Sequence, residues 1–252
     1  MSVDIHAIRN YLHDFLGVSR FRDYAPNGLQ VEGRLVIKKI VSGVTASRLL
    51  IEAAVKANAD AILVHHGYFW RNEDPCVVGM KKERLRALLA ADLSLFAYHL
   101  PLDAHAECGN NVQLAKVLGL TPLGTFGSVD SAPAWYGELP NAVTTEVFVA
   151  HCRQRLQRDI VVIDAHQRPL RRIGWCTGAA QDYIEDAARQ GLDGFLSGEI
   201  SERTVHAARE LGIHYFCAGH HATERYGVQA LGAHLAQYFG IEHEYVDIPN
   251  PV

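Results

Sequence analysis

The amino-acid sequence predicts an α/β protein made of two related α/β units with largely parallel sheets. Two observations lead to this prediction: apolar, strand-like runs alternate with amphipathic helical stretches along most of the chain, and the second half repeats the first. Such alternation is typical of a parallel sheet buried under helices. With 252 residues, of which 48% are hydrophobic, the chain is long enough for one large or two modest domains.

The first half opens with a predicted helix. In MSVDIHAIRNYLHDFLGV, apolar residues recur at helical spacing with polar residues between them, which indicates an amphipathic helix rather than a signal peptide. A turn-rich stretch, DYAPNGLQVEG, follows. The predicted elements are then strand 36–41, helix 46–59, strand 59–66, helix 80–92, strand 93–99 and helix 110–119, the last capped by Asn110 or Asn111.

The second half repeats this rhythm after a change of composition. From Thr121 to Asn141 the chain is rich in Gly, Pro, Ser and Ala, which predicts a domain boundary and two domains, 1–124 and 125–252. The predicted elements beyond it are helix 144–157, strands 159–165 and 172–178, helix 180–191, strand 193–199, helix 201–212, strand 213–219 and helix 222–240.

A sequence repeat underlies the repeated rhythm. Residues 171–199 align with residues 38–66 without a gap, at an offset of 133 (173 minus 40), with seven identities among 29 positions. We interpret the two halves as a duplicated α/β unit. The alternative is that two α/β segments resemble each other through their periodicity alone.

The repeat continues into the segments that carry histidine and carboxylate residues. FAYHLPLDAH and FCAGHHATER can be aligned so that His99 meets His220 and Asp103 meets Glu224. Since ligands of open α/β sheets bind at the carboxyl ends of the strands, we expect the chemistry to lie in these segments. HLPLD, which contains Pro101, is expected to be a shaped loop rather than a helix interior.

Polar side chains follow the predicted parallel strands where each strand ends. The histidines at positions 65 and 66 can converge on one point only if their strand ends there, because neighbouring side chains on a strand point to opposite faces. Imidazoles and carboxylates without a thiolate suit zinc, iron, manganese or cobalt, and several of them together can hold two ions. The strand-end residues are His65, His66, His99, Asp103, Glu199, His220, His221 and Glu224.

Each part of this set has a purely structural alternative. His220 and Glu224 are four residues apart and are also consistent with a cap and a first-turn charge of the last helix. Asp103 alone is better explained as a helix cap. The pair of His65 and His66 is equally consistent with a buried polar pair held by backbone carbonyls. The metal interpretation gains from the shared topological position of all three groups.

Composition excludes several classes of protein. The formal charge of -4, from 24 Lys plus Arg against 28 Asp plus Glu, argues against binding to nucleic acid or to an anionic membrane. No apolar stretch reaches the roughly 20 residues of a membrane span. Five widely spaced cysteines without a C-x-x-C motif favour reduced thiols and a cytoplasmic location.

Five motifs, in order along the chain, resemble those of the GTP cyclohydrolase I type 2 homologues, also called Ngg-interacting-factor-like dinuclear metal proteins. The motifs are PNGLQVEG at 26–33, LVHHG at 63–67, YHLPLDAH at 98–105 with GNN at 109–111, LSGE at 196–199, and GHHATER at 219–225. The resemblance extends from about residue 20 to the closing IPNP and implies a two-domain α/β protomer. It also implies a cytoplasmic homohexameric toroid, a trimer of dimers.

The resemblance further implies a site with two divalent metal ions per chain, zinc, iron or manganese, at strand ends between the two units. Its implied ligands are His65, His66, Asp103, His220 and Glu224, of which Asp103 and Glu224 are the natural bridging groups. The remaining strand-end residues become candidates for proton transfer or ligand orientation. These candidates are His99, Glu199 and His221.

The implied activity is a metal-dependent hydrolysis that opens the guanine imidazole ring of GTP or a related nucleotide and releases formate. A metal ion lowers the pKa of a bound water enough to supply hydroxide near neutral pH. The alternative is a non-catalytic metal-binding hexamer that serves as a scaffold, a chaperone or a metal reservoir, because the sequence shows no evident cluster for a triphosphate.

Overall fold

The computed structural model of the chain describes residues 1–127 and 133–252. The helices in these ranges are α1 (Ile5–Phe15), α2 (Arg48–Lys56), α3 (Gly79–Ala90), α4 (Leu100–Ala104), α5 (Asn110–Leu118), α6 (Thr145–Leu156), α7 (Ile184–Arg189), α8 (Glu202–Leu211) and α9 (His220–Phe239). Short 3-10 helices cover Val18–Arg20 and Gln181–Tyr183. Within these ranges, none of the helices combines the length and apolar character that crossing a membrane requires.

The strands alternate with these helices. They are β1 (Val3–Asp4), β2 (Gly28–Val31), β3 (Val36–Ile37), β4 (Lys39–Thr45), β5 (Ala61–His66), β6 (Ser94–Ala97), β7 (Thr121–Phe126), β8 (Ala134–Val143), β9 (Val161–Ile163), β10 (Leu170–Cys176), β11 (Gly194–Ser197), β12 (His214–Cys217) and β13 (Glu242–Tyr245). Short polar residues begin several helices: Ser47 accepts a hydrogen bond from Leu50 N, and Thr144, as predicted, accepts one from Val147 N.

The chain forms two compact units. The first unit contains Met1–Gly109 and Gly227–Pro249, and the second contains Asn110–Tyr226 and Asn250–Val252. The boundary expected between residues 124 and 125 falls inside β7, and part of the low-complexity stretch behind that expectation, 128–132, lies outside the described residues. The chain therefore passes from the first unit to the second ahead of α5, and the latter part of α9 returns to the first unit.

The sheet of the first unit has the order β13-β4-β5-β6-β2. The pairs β13/β4, β4/β5 and β5/β6 are parallel, and only the edge strand β2 runs antiparallel to its neighbour. Residues alternate between two hydrophobic cores along each central strand: on β5, Leu63 belongs to one core and Val64 to the other. The parallel α/β architecture predicted for this half is confirmed.

The sheet of the second unit has the order β7-β8-β10-β11-β12-β9 and is mixed. The central pairs β10/β11 and β11/β12 are parallel, whereas β7, β8 and β9 pair in the antiparallel sense. Again each central strand serves two cores, with Phe216 of β12 in one and Tyr215 in the other. The antiparallel hairpin of β7 and β8 adds to the predicted parallel arrangement.

The internal duplication is visible in the strand register. Ile40 pairs with Ala61 in the first unit, and Ile173 pairs with Gly194 in the second, both at the predicted offset of 133. An aspartate repeats as well: Asp60 Oδ2 accepts hydrogen bonds from the main-chain nitrogens of residues 38 and 39, and Asp193 Oδ2 accepts them from those of residues 171 and 172. Matching geometry at matching positions supports duplication over shared periodicity.

One detail of the predicted repeat is wrong. On the third parallel strand the register sets the offset at 120 (214 minus 94), since Ser94 follows the pairing of Ala61 as His214 follows that of Gly194. At this offset His99 corresponds to Gly219 and Asp103 to Thr223, and the main-chain hydrogen bonds of Asp103 N to His99 O and of Thr223 N to Gly219 O agree. The histidine and carboxylate residues of the two units therefore do not descend from aligned positions.

The expected HLPLD loop is also corrected, because its residues form the short helix α4. Pro101 occupies the first turn of α4, where a missing N–H costs nothing and the fixed φ of proline suits a helix. The proline thus begins this helix rather than preventing it.

Candidate metal site

The first unit gathers His65, His66, His99 and Asp103 at the carboxyl ends of β5 and β6, and these four residues are called the first-unit cluster. Both histidines of the pair lie at the end of β5, as predicted, with ring centroids 4.5 Å apart. One ring nitrogen from each of His65, His66 and His99 lies within 4.8 Å of the corresponding nitrogens of the other two. Asp103 Oδ1 lies 3.5 Å from His65 Nε2. Three imidazoles and one carboxylate therefore share one end of this sheet.

The Nδ1 atom of each histidine in the first-unit cluster contacts an oxygen. His65, which is fully buried, places Nδ1 2.9 Å from the carbonyl oxygen of Tyr98. His66 places Nδ1 3.3 Å from Thr45 Oγ1, and His99 places Nδ1 2.7 Å from Asp23 Oδ1. A metal-binding histidine usually has one nitrogen held in this way while the other faces the ion.

Asp23 is a buried residue of the turn-rich segment before β2. Its carboxylate accepts hydrogen bonds from His99 Nδ1, Asn27 Nδ2, Tyr24 N and Leu100 N, at 2.6 to 2.9 Å. Burial alone raises the pKa of this carboxyl group, but the hydrogen bond and the charge of His99, together with the bonds from Asn27 and Tyr24, outweigh it and lower the pKa to about 2. Asp23 is thus ionised.

The PNGLQ motif fixes the backbone that follows His66. Gln30 Oε1 accepts a hydrogen bond from Tyr68 N at 2.7 Å, and Gln30 Nε2 donates to Tyr68 O at 3.1 Å. A Cβ atom at Gly67 would lie 2.2 Å from Gln30 Oε1 and 2.6 Å from the Cβ atom of Ala97. The glycine of LVHHG is required because this turn packs directly against Gln30.

The second unit gathers Glu199, His220 and Glu224, called the second-unit cluster. Glu199 follows the end of β11, while His220 begins α9 and Glu224 lies one turn later. His220 Nδ1 lies 2.7 Å from Glu199 Oε1, and His220 Nε2 lies 3.1 Å from Glu224 Oε2. This histidine therefore follows the same rule as those of the first-unit cluster, with an oxygen at Nδ1.

Two glycines make room for the second-unit cluster. A Cβ atom at Gly178 would lie 2.2 Å from Glu224 Oε1 and 3.2 Å from His220 Nε2. At Gly198, the glycine of LSGE, it would lie 2.6 Å from the Cα atom of His220. The loop after β10 and the end of β11 can approach the first turn of α9 only because these side chains are missing.

The electrostatics of His220 follow from its two carboxylate neighbours. Burial lowers the pKa of His220, but the hydrogen bonds and charges of Glu224 and Glu199 outweigh burial and raise the pKa to about 9. The two carboxylates that stabilise a positive charge on the His220 ring would equally stabilise a metal ion bound beside it. His221, the neighbouring candidate, is buried, and its main-chain nitrogen donates to Val252 O at 3.0 Å.

The residues present fit a divalent metal ion. Imidazole rings whose Nδ1 atoms lie beside oxygens, together with the buried carboxylates of Asp103 and Glu224, form a donor set that zinc, iron and manganese accept. Within the described ranges, the groups that could hold a metal ion contain six of the eight residues predicted from the strand ends, namely His65, His66, His99, Asp103, His220 and Glu224, and neither Glu199 nor His221. Their candidacy needs no residue beyond those identified in the sequence.

Sequence reasoning missed the residues that support these ligands. Asp23, Thr45 and Gly178 precede their partners by 76, 21 and 46 residues, respectively, the last being 224 minus 178. Only Asp23 and Asn27 had a usable signal, since both lie in or beside the PNGLQVEG motif. The motif was recognised, but its structural role, holding His99 and the turn at Gly67, requires the fold.

Comparison with known proteins agrees with the motifs. A family model described as Duf34/NIF3 (NGG1p interacting factor 3) matches residues 3–251. A protein of Allochromatium vinosum named "GTP cyclohydrolase 1 type 2 homolog" is 53% identical over 248 residues, covering 98% of this chain and 97% of the relative. A Pseudomonas aeruginosa protein of the same name is 53% identical over 253 residues, covering 100% of both chains.

Among solved structures, the fold is similar to one described as "Structural genomics, protein ybgI, unknown function". The TM-score is 0.95 and the sequence identity 45%, with 99% of this chain and 100% of the other covered. The resemblance inferred from five motifs is confirmed by these matches, which extend over almost the whole chain.

Proposed function

The chain belongs to the Duf34/NIF3 family, and we propose that it is a divalent-metal-dependent hydrolase that acts on a purine nucleotide or a related heterocycle. One observation carries the proposal: four histidines in two clusters each place Nδ1 beside an oxygen, which is the usual arrangement of a metal-binding histidine. These are His65, His66, His99 and His220. The names of the two bacterial relatives support GTP as the first substrate to test.

We assign the metal ligands by residue. His65, His66, Asp103, His220 and Glu224 are the proposed ligands of two divalent ions per chain, zinc, iron or manganese. Asp103 and Glu224 are the proposed bridging groups, because a carboxylate has two oxygens and each of these is buried beside an imidazole. Glu199 is proposed to orient His220 through its Nδ1 atom.

The proposed reaction opens the imidazole ring of the purine: water adds at C8, a ring C8–N bond breaks to leave a formamide, and a second water hydrolyses the formamide to release C8 as formate. A bound divalent ion supplies the lowered pKa of the attacking water and polarises the substrate. His99 is proposed to accept the proton of that water at Nε2, and the buried His221 is a second proton-transfer candidate. The ionised carboxylate of Asp23 keeps the proton on His99 Nδ1 throughout.

The proposed assembly and location follow the family resemblance. We propose a cytoplasmic homohexamer, a trimer of dimers arranged as a toroid, with a small-molecule substrate and no membrane partner. Nucleic acid is not proposed as a partner, because a formal charge of -4 does not favour a polyanion.

A second candidate function is a non-catalytic metal-binding protein that serves as a scaffold, a chaperone or a metal reservoir. One specific observation favours it: cations that follow His66 in the chain are already engaged by the protein. Arg71 Nη2 donates to the main-chain oxygen of Asp23 at 2.8 Å, and Lys81 Nζ donates to the main-chain oxygen of Asp74 at 3.0 Å. A triphosphate would need cations from elsewhere.

The test compares formate release from GTP by wild type, Asp103→Ala and Asp182→Ala, each reconstituted with zinc, manganese or iron and assayed for bound metal. Asp182 is an exposed aspartate paired with Arg203, so its removal controls for the loss of a carboxylate. We expect about two ions per chain and turnover in the wild type and the control, and loss of both in Asp103→Ala. Full turnover by metal-free Asp103→Ala would refute the hydrolase, and metal-loaded wild type without turnover would favour the second candidate.

A further inference from the structure

The carboxylate of Asp23 is enclosed by donors, and its side chain is only 3% exposed. Oδ1 accepts from His99 Nδ1 and Tyr24 N, and Oδ2 accepts from Asn27 Nδ2 and Leu100 N. Both oxygens are therefore committed to donors. An aspartate with four donors is a built feature of the fold rather than a surface charge that happens to lie near a histidine.

This enclosure decides the tautomer of His99. An ionised carboxylate can only accept hydrogen bonds, so the proton of a neutral His99 ring must lie on Nδ1 at the 2.7 Å contact with Asp23 Oδ1. Nε2 then carries the lone pair. Because the two nitrogens of an imidazole point in diverging directions, Nε2 is turned away from Asp23.

Further contacts hold the main chain and the ring of His99 in place. Asn27, which donates to Asp23, accepts a hydrogen bond from His99 N through Oδ1 at 2.7 Å. The Trp70 ring packs edge-on against the His99 ring with centroids 5.0 Å apart, and Trp70 is itself fixed by a hydrogen bond from Nε1 to Gly67 O. These contacts leave the imidazole little freedom to turn over.

The held ring lies beside the histidine pair. The ring centroid of His99 is 5.0 Å from that of His65 and 5.8 Å from that of His66, and the three residues bring one nitrogen each within 4.8 Å of the others. His65 and His66 also direct Nδ1 toward oxygens, so all three imidazoles of this group have the same nitrogen beside an oxygen.

We propose that Asp23 is a positioning residue that fixes His99 as the Nδ1–H tautomer and so presents the Nε2 lone pair beside His65 and His66. The catalytic consequence rests on the proposed function. In the hydrolysis, one O–H bond of the attacking water breaks as Nε2–H forms, the oxygen adds to C8 of the purine, and the π electrons of the C8=N7 bond move to N7. Asp23 takes up no proton and keeps its hydrogen bond to Nδ1–H, which steadies the imidazolium.

The substitution Asp23→Asn keeps the size of the side chain and replaces Oδ1, which faces His99 Nδ1 and Tyr24 N, by an amide nitrogen. An amide nitrogen facing His99 donates to Nδ1 and moves the ring proton to Nε2. The matched control is Arg71→Ala, which removes the hydrogen bond from Arg71 Nη2 to the main-chain oxygen of Asp23 and leaves the carboxylate untouched. Comparing the two variants therefore separates the effect of loosening the segment around Asp23 from the effect of changing the tautomer of His99.

The first readout is the pair of nitrogen chemical shifts of His99 in metal-free protein, measured by long-range proton–nitrogen correlation with His99→Gln for assignment. We expect a protonated Nδ1 and a bare Nε2 in the wild type and in Arg71→Ala, and a protonated Nε2 in Asp23→Asn. A protonated Nε2 in the wild type overturns the proposal even if Asp23→Asn does not fold. So does an unchanged tautomer in a folded Asp23→Asn.

The second readout is a double-mutant cycle on turnover of the metal-loaded protein. We expect Asp23→Asn to lower kcat about 10²-fold or more with unchanged KM and metal content, and to have no further effect in a His99→Gln background. An equal loss in both backgrounds would mean that Asp23 acts through the fold and not through His99, which overturns the proposal. If the wild type proves inactive, the proposed function fails while the nitrogen shifts still decide the tautomer.

Discussion

Among the histidines of this chain, the partner of Nδ1 separates those that can bind a metal from those that serve the fold. His65, His66, His99 and His220 direct Nδ1 at oxygens. His105 does the reverse: its Nδ1 accepts hydrogen bonds from Glu107 N and Cys108 N. The proton of a neutral His105 ring therefore lies on Nε2, and this residue closes a turn rather than offering a ligand atom.

At the same scale, Gly178 gives a sharp prediction, because its missing side chain makes the space that Glu224 occupies. Gly178→Ala places a Cβ atom 2.2 Å from Glu224 Oε1 and must displace that carboxylate. We expect metal affinity to fall at least about 10-fold, the range seen when residues supporting a ligand are lost, while the fold is kept. Equilibrium metal titration of chelator-treated protein measures the loss.

Gly191→Ala is the control for Gly178→Ala. Both glycines are left-handed, with φ of +68° and +66°, so either alanine costs about 1–2 kcal/mol of backbone strain. A Cβ atom at Gly191 has nothing within 4 Å. Equal metal affinities in the two variants would show that the space beside Gly178 does not position Glu224 as a ligand.

At the scale of elements, the long helices and the central parallel strands could be predicted from periodicity, and the edge strands mostly could not. β2, β7 and β13 each lie at the edge of a sheet, where one side of the strand meets no partner and the apolar pattern is weak. β7 carries Pro122 and Gly124, which read as loop residues although an edge strand accepts a proline.

The same reason limits prediction of the site. Strand ends predicted the candidate ligands because parallel strands bring their carboxyl ends to one edge, a consequence of topology that the sequence pattern contains. Asp23, Thr45 and Gly178 come from loops and strand ends whose path depends on tertiary packing. Apart from the PNGLQVEG motif beside Asp23, no local pattern distinguishes them from ordinary turn residues.

A buried histidine on β12 leads us to predict that the free energy of unfolding depends on pH. His214 begins this strand, and its Nδ1 accepts a hydrogen bond from Ala165 N at 3.3 Å, while Nε2 lies 3.1 Å from His166 Nδ1. Burial and then the charge of His166 lower the pKa of His214, and Asp164 and Asp193 only partly oppose this. The register-equivalent Ser94 accepts from Gly33 N in the first unit, without a titrating group.

The sign follows from proton binding. A lowered pKa means that the unfolded state, with an ordinary histidine pKa near 6.5, binds a proton that the folded state refuses. The stability contributed by neutral His214 is therefore fully present above about pH 6.5. It is lost as the pH falls from there through the lowered pKa of the folded state. We expect His214→Asn, which keeps an acceptor, to reduce the slope of unfolding free energy against pH by up to about 1.4 kcal/mol per pH unit.

Urea denaturation of metal-free protein at several values between pH 5 and 8 measures the slope for His214→Asn and for His206→Asn. His206 is an exposed histidine on α8 paired with Glu202, and its replacement controls for the loss of a histidine elsewhere in the second unit. A slope for His214→Asn as steep as that of the wild type would assign the acid sensitivity to other groups.

At the scale of the whole molecule, duplication kept the scaffold while the chemical groups diverged. Asp60 and Asp193 hold equivalent main-chain nitrogens, but His65 and His66 correspond at the offset of 133 to Gly198 and Glu199. One copy thus ends its strand in two candidate ligands, and the other ends it in a glycine that admits α9 and a carboxylate that holds His220. Each unit provides a different part of the proposed ligand set.

The distribution of the proposed ligands over the two units predicts how metal binding affects the free energy of unfolding. An ion that binds only the folded chain raises the unfolding free energy by RT ln(1 + [L]/Kd), about 2.7 kcal/mol at a hundredfold excess over Kd. We expect zinc or manganese to raise the melting temperature of the chelator-treated wild type. If the proposed centre draws on both units, Asp103→Ala from the first and Glu224→Ala from the second should each abolish the rise, while Glu202→Ala, an exposed glutamate, should not.

Differential scanning calorimetry with and without added metal distinguishes the outcomes. Loss of the rise in both ligand variants would mean that neither cluster binds the ions alone, so that metal binding couples the two copies of the duplicated unit. A full rise in Glu224→Ala would confine binding to the first-unit cluster. In that case the carboxylate and histidine of α9 would have to act on something other than the metal, and the proposed ligand set would be wrong by half.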